Sequence, residues 1–305
     1  MASIKDIKKR IGTVKNTQQT TRAMKMVSAA KLRRAQEAIL NQRPYAQATR
    51  NLIQKLSVDE AVGTHPLVGQ PLSAGAREGV SEKLTVLVLV TSDRGLCGGF
   101  NSNVIKTAQR WMAAPENRGK PVEFAFVGRR GHDFFKHKGV KVGTYYAEQG
   151  GKVNFLKARQ LASSLVARYE QGDVESVQFI YNEFKNAVSQ RVVVETFLPL
   201  MPDSLPSSSA SAEGVITDAS GFLVKPGAKQ VFEQLMTKHF AIQCFRILLE
   251  SQAGEHGARM SAMENATKNA GEMIQALTLQ YNKQRQGGIT KELLEIIAGS
   301  ESQKG

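Results

Sequence analysis

The sequence predicts an α/β domain carried between two long helices that pair antiparallel as a coiled coil, and three observations lead there. Both ends of the chain space their apolar residues by threes and fours, the seam of a coiled coil. The middle, 83–200, switches to short apolar runs alternating with amphipathic stretches, the pattern of a mainly parallel, Rossmann-like sheet. Segments rich in Gly, Pro or Ser separate the two regimes. The expected divisions are an N-terminal coiled-coil helix at 1–56, a linker at 57–82, the α/β domain at 83–200, a loop or insert at 201–227, and a C-terminal coiled-coil helix at 228–305.

The N-terminal helix is predicted over 3–56. Ser3 with Asp6 three residues on resembles a capping box. Ile4, Ile7, Ile11 and Val14 then step by 3, 4 and 3. The stripe turns polar through 16–22 and resumes at Met24, Val27, Leu32, Ala35 and Ile39. Pro44 kinks the helix or ends it. The linker at 57–82 follows, with Gly63, Pro66, Gly69, Pro71, Gly75 and Gly79.

In the middle, Leu84–Thr91 reads as a strand buried on both faces. A Gly-rich turn, 92–101, leads to a helix near 102–114. Val122–Val127 is a second strand, a short helix lies near 132–137, a third helix spans 154–169, and further strands occupy 174–181 and 191–198. The Ser-rich stretch at 207–211 marks a flexible insert.

From about 228 to 298 helix returns. Val231, Leu235, Lys238, Ile242, Phe245 and Leu249 alternate steps of 4 and 3; after a weak patch, Met260, Met263, Thr267, Ala270, Ile274, Leu277, Tyr281 and Gln284 do the same. At 1.5 Å per residue these two helices are about 80 and about 105 Å long, beyond what globular domains hold. Two shorter core helices, each broken somewhere, are the plainer alternative. The longer C-terminal helix is expected to project past its partner. Its last turns carry Leu293, Leu294, Ile296 and Ile297, an arc that needs an apolar socket in another protein.

Composition narrows the function. The chain has 305 residues, is 41% hydrophobic and carries a formal charge of +14, so a packed core is expected and wholesale disorder is not. Residues 1–56 hold thirteen Lys/Arg against two acids, leaving that segment +11 and the remainder +3. Such a basic arm needs an acidic partner: nucleic acid, an anionic membrane surface or an acidic protein. A charged start, MASIKDIKKR, does not look like a secretory signal, and no run is long enough for a membrane span. The two cysteines, Cys97 and Cys244, form no CxxC pair, which argues against a disulfide framework and fits a reducing cytosol.

The turn Ser92-Asp93-Arg94-Gly95-Leu96-Cys97-Gly98-Gly99-Phe100-Asn101 sits where phosphate loops sit, after a strand and before a helix. It matches neither GxGxxG nor GxxxxGK[ST], so a tight turn or a protein-docking surface is the better reading. Cys97 lacks a base beside it in sequence, and the five histidines are scattered. Gly287-Gly288, after Arg285 and Gln286, reads equally as a helix break or as a compliant point of close approach.

Three stretches resemble the γ subunit of F-type ATP synthases: IKDIKKRIGTVKNTQQTTRAMKMVSAAKLRRAQ, SDRGLCGGFN, and EHGARMSAMENATKNAGEMIQALTLQYNKQRQGGITKELLEII. The resemblance covers nearly the whole chain, least at 203–222. It implies the central rotor shaft of a proton-translocating enzyme, non-catalytic itself, turning inside a hexamer of three α and three β subunits. The ε subunit and the ring of c subunits would sit below. It implies no cofactor, no metal, no nucleic acid, and a peripheral place on the cytoplasmic face of a bacterial inner membrane, held only through the complex. It further implies contacts with β through Arg285 and Gln286, through Arg94 and Lys106, and through Met24, Lys25, Arg33 and Arg34. This chain has Gly254, Gly257, Gly287 and Gly288 where the family usually has Ala or Ser, so a less stiff helix is expected there. No inserted loop holds a cysteine pair, so the thiol switch of chloroplast forms is not expected here. Two rival readings are an α/β enzyme holding a nucleotide on 92–101, and a nucleic-acid-binding coiled coil. The first lacks a phosphate motif. The second lacks stacking aromatics, Tyr45 being the one aromatic in 1–56.

Overall fold

The computed structural model describes residues 4–56, 67, 84–140, 142–146, 153–186, 189–200 and 228–302. The Ser3 cap, the insert at 201–227 and, Leu67 aside, the linker at 57–82 lie outside them. The chain divides into two compact units, Met1–Ala29 with Arg259–Gly305, and Ala30–Ala258.

Helix α1 runs unbroken over Ile4–Leu56, with Asp6 in its first turn beside the positive end of the helix dipole. Pro44 lies inside it and does not end it. From Ile7 to Ile53 its buried and half-buried positions keep an alternating step of 4 and 3. This corrects the expected seam. The line does not jump to Met24 and Val27; it passes through Gln18, Thr21, Lys25 and Ser28, while Val27 is 57% exposed. A strict heptad register outweighs the preference of one valine for burial, because the facing helix offers polar partners at that level.

Helix α5, Ala228–Ser302, is likewise continuous, Gly287 and Gly288 included, so neither a helix break nor two shorter core helices describes this segment. In the first unit the two helices pair antiparallel. Thr21 and Thr267 share a hydroxyl hydrogen bond of 2.8 Å, Lys25 meets Glu264 at 2.6 Å, and Gly288 lies by Ile4.

The second unit centres on a five-stranded sheet in the order β3-β2-β1-β4-β5. Its strands are β1 Thr85–Val90, β2 Val122–Val127, β3 Val142–Tyr146, β4 Ser176–Phe184 and β5 Gln190–Leu198. The first four in that order are parallel; β5 pairs antiparallel with β4. Side chains alternate across β1. Val86, Val88 and Val90 join one core with helix α4 (Phe155–Glu170), Ile53 of α1, and Phe232, Phe240 and Ile247 of α5. Leu87 and Leu89 join the other with helices α2 (Phe100–Ala113) and α3 (Arg129–His137). Asn154 caps α4 by accepting from the Leu156 N–H at 3.0 Å.

Two expectations fail here. Strand β3 is absent from the sequence reading: it is a short edge strand with Gly143 inside it, and a Cβ there would come within 2.6 Å of the Glu123 side chain. The second is the narrow stripe expected on α5 near 231–249. Lys238 is exposed, and from His239 to Arg259 the helix is buried or half-buried at every position, because α1 and the sheet enclose it. The weak patch near 250–259 is weak because small residues, Ala253 and Gly254 among them, let the sheet approach.

Candidate functional site

The turn after β1 is built from its own side chains. The Asn101 Oδ1 accepts from the Ser92 N–H at 2.9 Å, the Ser92 hydroxyl donates to the Arg94 carbonyl, and the Asn101 amide donates to the Cys97 sulfur at 3.2 Å. Arg129 N–H donates to Asp93 and Arg130 N–H to the Ser92 carbonyl, tying the turn to the start of α3. Closed in this way, the turn presents Arg94 and Leu96 to solvent and hides Cys97. Leu96 has φ 63°, an uncommon conformation for a bulky side chain. Cys97 meets Ser92, the Arg94 carbonyl and Asn101, none of them a base suited to activating a thiol.

In a sheet of this order, ligands collect where the strand order reverses, at the carboxyl ends of β1 and β4. Here α5 occupies that crevice. Gly254 packs on Phe100 and Asn182, and the Asn182 amide donates to the Phe100 carbonyl. The opening of α2 is thus turned toward another helix, with Gly99 as an N-cap that makes no side-chain bond. Among the described residues no group of three or more His, Cys, Asp or Glu is placed to hold a metal ion.

The residues singled out by resemblance do not form one site. In the first unit, Met24 is half-buried and Lys25 is spent on Glu264, whereas Arg285 and Gln286 are exposed, about 32 Å farther along α5 at 1.5 Å per residue. Beyond them Leu293, Leu294, Ile296 and Ile297 are 55%, 60%, 72% and 47% exposed. In the second unit, Arg34, Arg94 and Lys106 are exposed and Arg33 pairs loosely with Glu37 on its own helix.

Sequence reasoning missed a half-buried polar hub on the sheet. Arg246 of α5 bonds Glu195 of β5, the Tyr181 hydroxyl of β4 at 3.1 Å, and Gln243 and Glu250 of its own helix at 2.8 and 3.2 Å. Burial alone would lower the Arg246 guanidinium's pKa, but Glu195, Tyr181 and Glu250 outweigh it and hold the charge firmly. Burial raises the Glu250 carboxyl against the pull of Arg246. Nearby, burial and then the charges of Arg50 and Arg246 push His239 down to about 4. The one signal in sequence is an arginine inside the apolar run FAIQCFRILL.

Comparison with known proteins agrees with this arrangement. A family model described as ATP synthase matches residues 3–302. The ATP synthase gamma chain of Bdellovibrio bacteriovorus is 45% identical over 305 residues, covering all of both chains. That of Geotalea uraniireducens is 42% identical over 305 residues, again covering both. The central stalk and c-ring structure of Tetrahymena thermophila mitochondrial ATP synthase contains a chain 26% identical, with a TM-score of 0.56 over 81% of this chain and 99% of that one. A rotor structure of the Euglena gracilis mitochondrial enzyme shares the fold at 21% identity, with a TM-score of 0.60 over 94% of this chain and 98% of that one. Two antiparallel long helices, a mainly parallel sheet with its crevice filled, and relatives matched end to end lead to one conclusion: this chain belongs to the ATP synthase gamma chain family.

Proposed function

We propose that this chain is the central rotor shaft of an F-type ATP synthase, coupling rotation of a membrane c-ring to conformational change in the catalytic β subunits while carrying no catalytic group itself. The observation that carries the reading is the end of α5, where four large apolar side chains stand in solvent on a helix that already has its seam partner below. Such an arc marks a surface that a second protein covers. An α/β hexamer supplies that enclosure, and the ε subunit and c-ring are the partners of the second unit. Arg285 and Gln286, with Arg94, Lys106, Met24, Arg33 and Arg34, are the residues offered to β. Lys25 reaches β only by sharing or leaving Glu264. The filled crevice at β1 and β4 supports a non-catalytic role, since a nucleotide would have to displace α5.

Among the described residues no helix is long and apolar enough to cross a membrane. The chain is held at the cytoplasmic face of a bacterial inner membrane through its complex. Rotation and site occupancy then bias each other reciprocally: an angle that favours one β conformation is itself favoured by the nucleotide bound there.

Purification of a tagged chain from membranes tests this. The α, β and ε subunits and the c-ring should accompany it, and the chain alone should neither bind nor hydrolyse ATP. Recovery with nucleic acid, or tight stoichiometric ATP binding by the purified chain, overturns the reading.

A further inference from the structure

Between α5 and the sheet most contacts are apolar, and apolar contact is non-directional: it resists separation more than it resists sliding or twisting. Arg246 is different. Its guanidinium is planar with donors in a fixed fork, so it is satisfied in few orientations. On one side it is held by its own helix, through Gln243 at i−3 and Glu250 at i+4. On the other it is held by two strands, through Glu195 of β5 and the Tyr181 hydroxyl of β4. Tyr181 donates to the second Glu195 oxygen at 2.6 Å, so both oxygens of that carboxylate are used. Turning α5 against β4 and β5 would break several charge-assisted bonds together, in a place where 24% of the Arg246 side chain, 36% of the Glu195 side chain and 15% of the Glu250 side chain reach water. The second Glu250 oxygen, Oε2, is buried with no hydrogen-bond partner, so Glu250 holds Arg246 through one oxygen only.

We infer that Arg246, bridging α5 to β4 and β5 through Glu195 and Tyr181, is the directional lock that passes twist between the long helix and the sheet. Arg246 is a positioning residue for rotary coupling; it touches no nucleotide. The inference rests on the rotor reading above. It separates strength of attachment, which the apolar core supplies, from torsional stiffness, which the fork supplies.

The test replaces the hub by apolar and neutral groups of similar size: Arg246→Leu with Glu195→Leu and Glu250→Gln, in the complete membrane-bound enzyme. Exchanging a whole buried ionic group for apolar side chains is often neutral for stability, whereas removing one member strands a charge. The assembled variant should hydrolyse ATP close to the wild-type rate, while ions pumped per ATP fall severalfold and a collapsing membrane gradient accelerates hydrolysis less than in wild type. Pumping per ATP equal to wild type in an assembled variant overturns the lock. If the triple variant does not assemble, Tyr181→Phe decides, because it removes only the hydroxyl between Arg246 and Glu195: a smaller but measurable drop in the same ratio supports the lock, and a wild-type ratio overturns it. A wild-type preparation that hydrolyses ATP without pumping overturns the rotor reading itself, an outcome distinct from loss confined to the variants.

Discussion

Gly128 and Gly254 look alike in sequence and behave oppositely in the fold. Gly128 opens α3 with φ 97°, and a Cβ there would fall 2.0 Å from the Thr91 carbonyl oxygen. Gly128→Ala therefore combines backbone strain with a backbone clash, and should destabilise by roughly 3 kcal/mol or more. Gly254 is helical, and its added Cβ would meet Phe100 at 3.4 Å and Asn182 at 3.5 Å, ordinary contact distances. Gly254→Ala should be neutral or should stabilise by up to about 1 kcal/mol. Denaturant unfolding of the purified chain checks both. A second residue, His239, sets a pH dependence. It is 2% exposed and its pKa is depressed to about 4 from 6.5, by burial and then by Arg50 and Arg246. The unfolded chain thus takes up this proton first, so the contribution is intact above pH 6.5 and is lost as pH falls toward 4, by about 3 kcal/mol in full. Glu250, with a raised pKa, acts in the opposite sense at acid pH, so the sound measurement is a difference. Stability of His239→Gln should fall less steeply than wild type between pH 6.5 and 4, and identical slopes would refute the assignment.

Among the elements, the coiled coil shows how far periodicity carries. Polar Gln18, Thr21, Lys25 and Ser28 hold the seam register that an apolar count abandons for Val27. The Thr21 and Thr267 hydroxyls also bond carbonyls of their own helices, Gln18 and Met263, so their mutual bond is one of several outlets. Thr21→Val with Thr267→Val should then shift stability by no more than about 1 kcal/mol, since both polar partners leave together; thermal unfolding measures it. The glycine pair on α5 admits a sharper expectation. Gly287 is helical with open space beyond its Cα, and a Cβ on Gly288 would touch only Ile4, at 3.8 Å. Gly287→Ala with Gly288→Ala should stabilise the isolated chain by about 2 kcal/mol. A fall in turnover of the assembled double variant would locate the close approach in a partner; full turnover with a more stable helix refutes it. The sequence made α1 and α5 legible through steps of three and four over most of their length, and β1, β2 and β4 through short apolar runs. It hid β3, a short edge strand broken by Gly143, and the Arg246 hub, whose strand partners lie 51 and 65 residues away. The exposure of the apolar end was legible because the helix pattern there outruns its partner, whereas Arg285 was singled out through the family resemblance alone. Lys25 as a free contact was not, because Glu264 lies 239 residues on.

For the whole molecule, the question is what the chain does with a formal +14 and an uncovered apolar end when no partner is present. Like charge keeps copies apart at long range, but salt reduces its reach to about 10 Å at 0.1 M. Apolar attraction does not weaken in that way. The isolated chain should therefore stay dispersed at low salt and self-associate as salt rises, through Leu293, Leu294, Ile296 and Ile297. Leu294→Gln with Ile297→Gln removes two of these without touching the seam, since both side chains are already in water. Light scattering should show the variant dispersed at salt concentrations where the parent associates, with unfolding unchanged within about 0.5 kcal/mol, as for surface substitutions generally. The same variant should bind an α/β hexamer at least about tenfold more weakly, because fully burying a large apolar side chain contributes about 1.5–3 kcal/mol and two are lost. Undiminished affinity for the hexamer, with self-association abolished, would mean that the end of α5 stays in solvent inside the complex and that Arg285 and Gln286 hold the shaft without it.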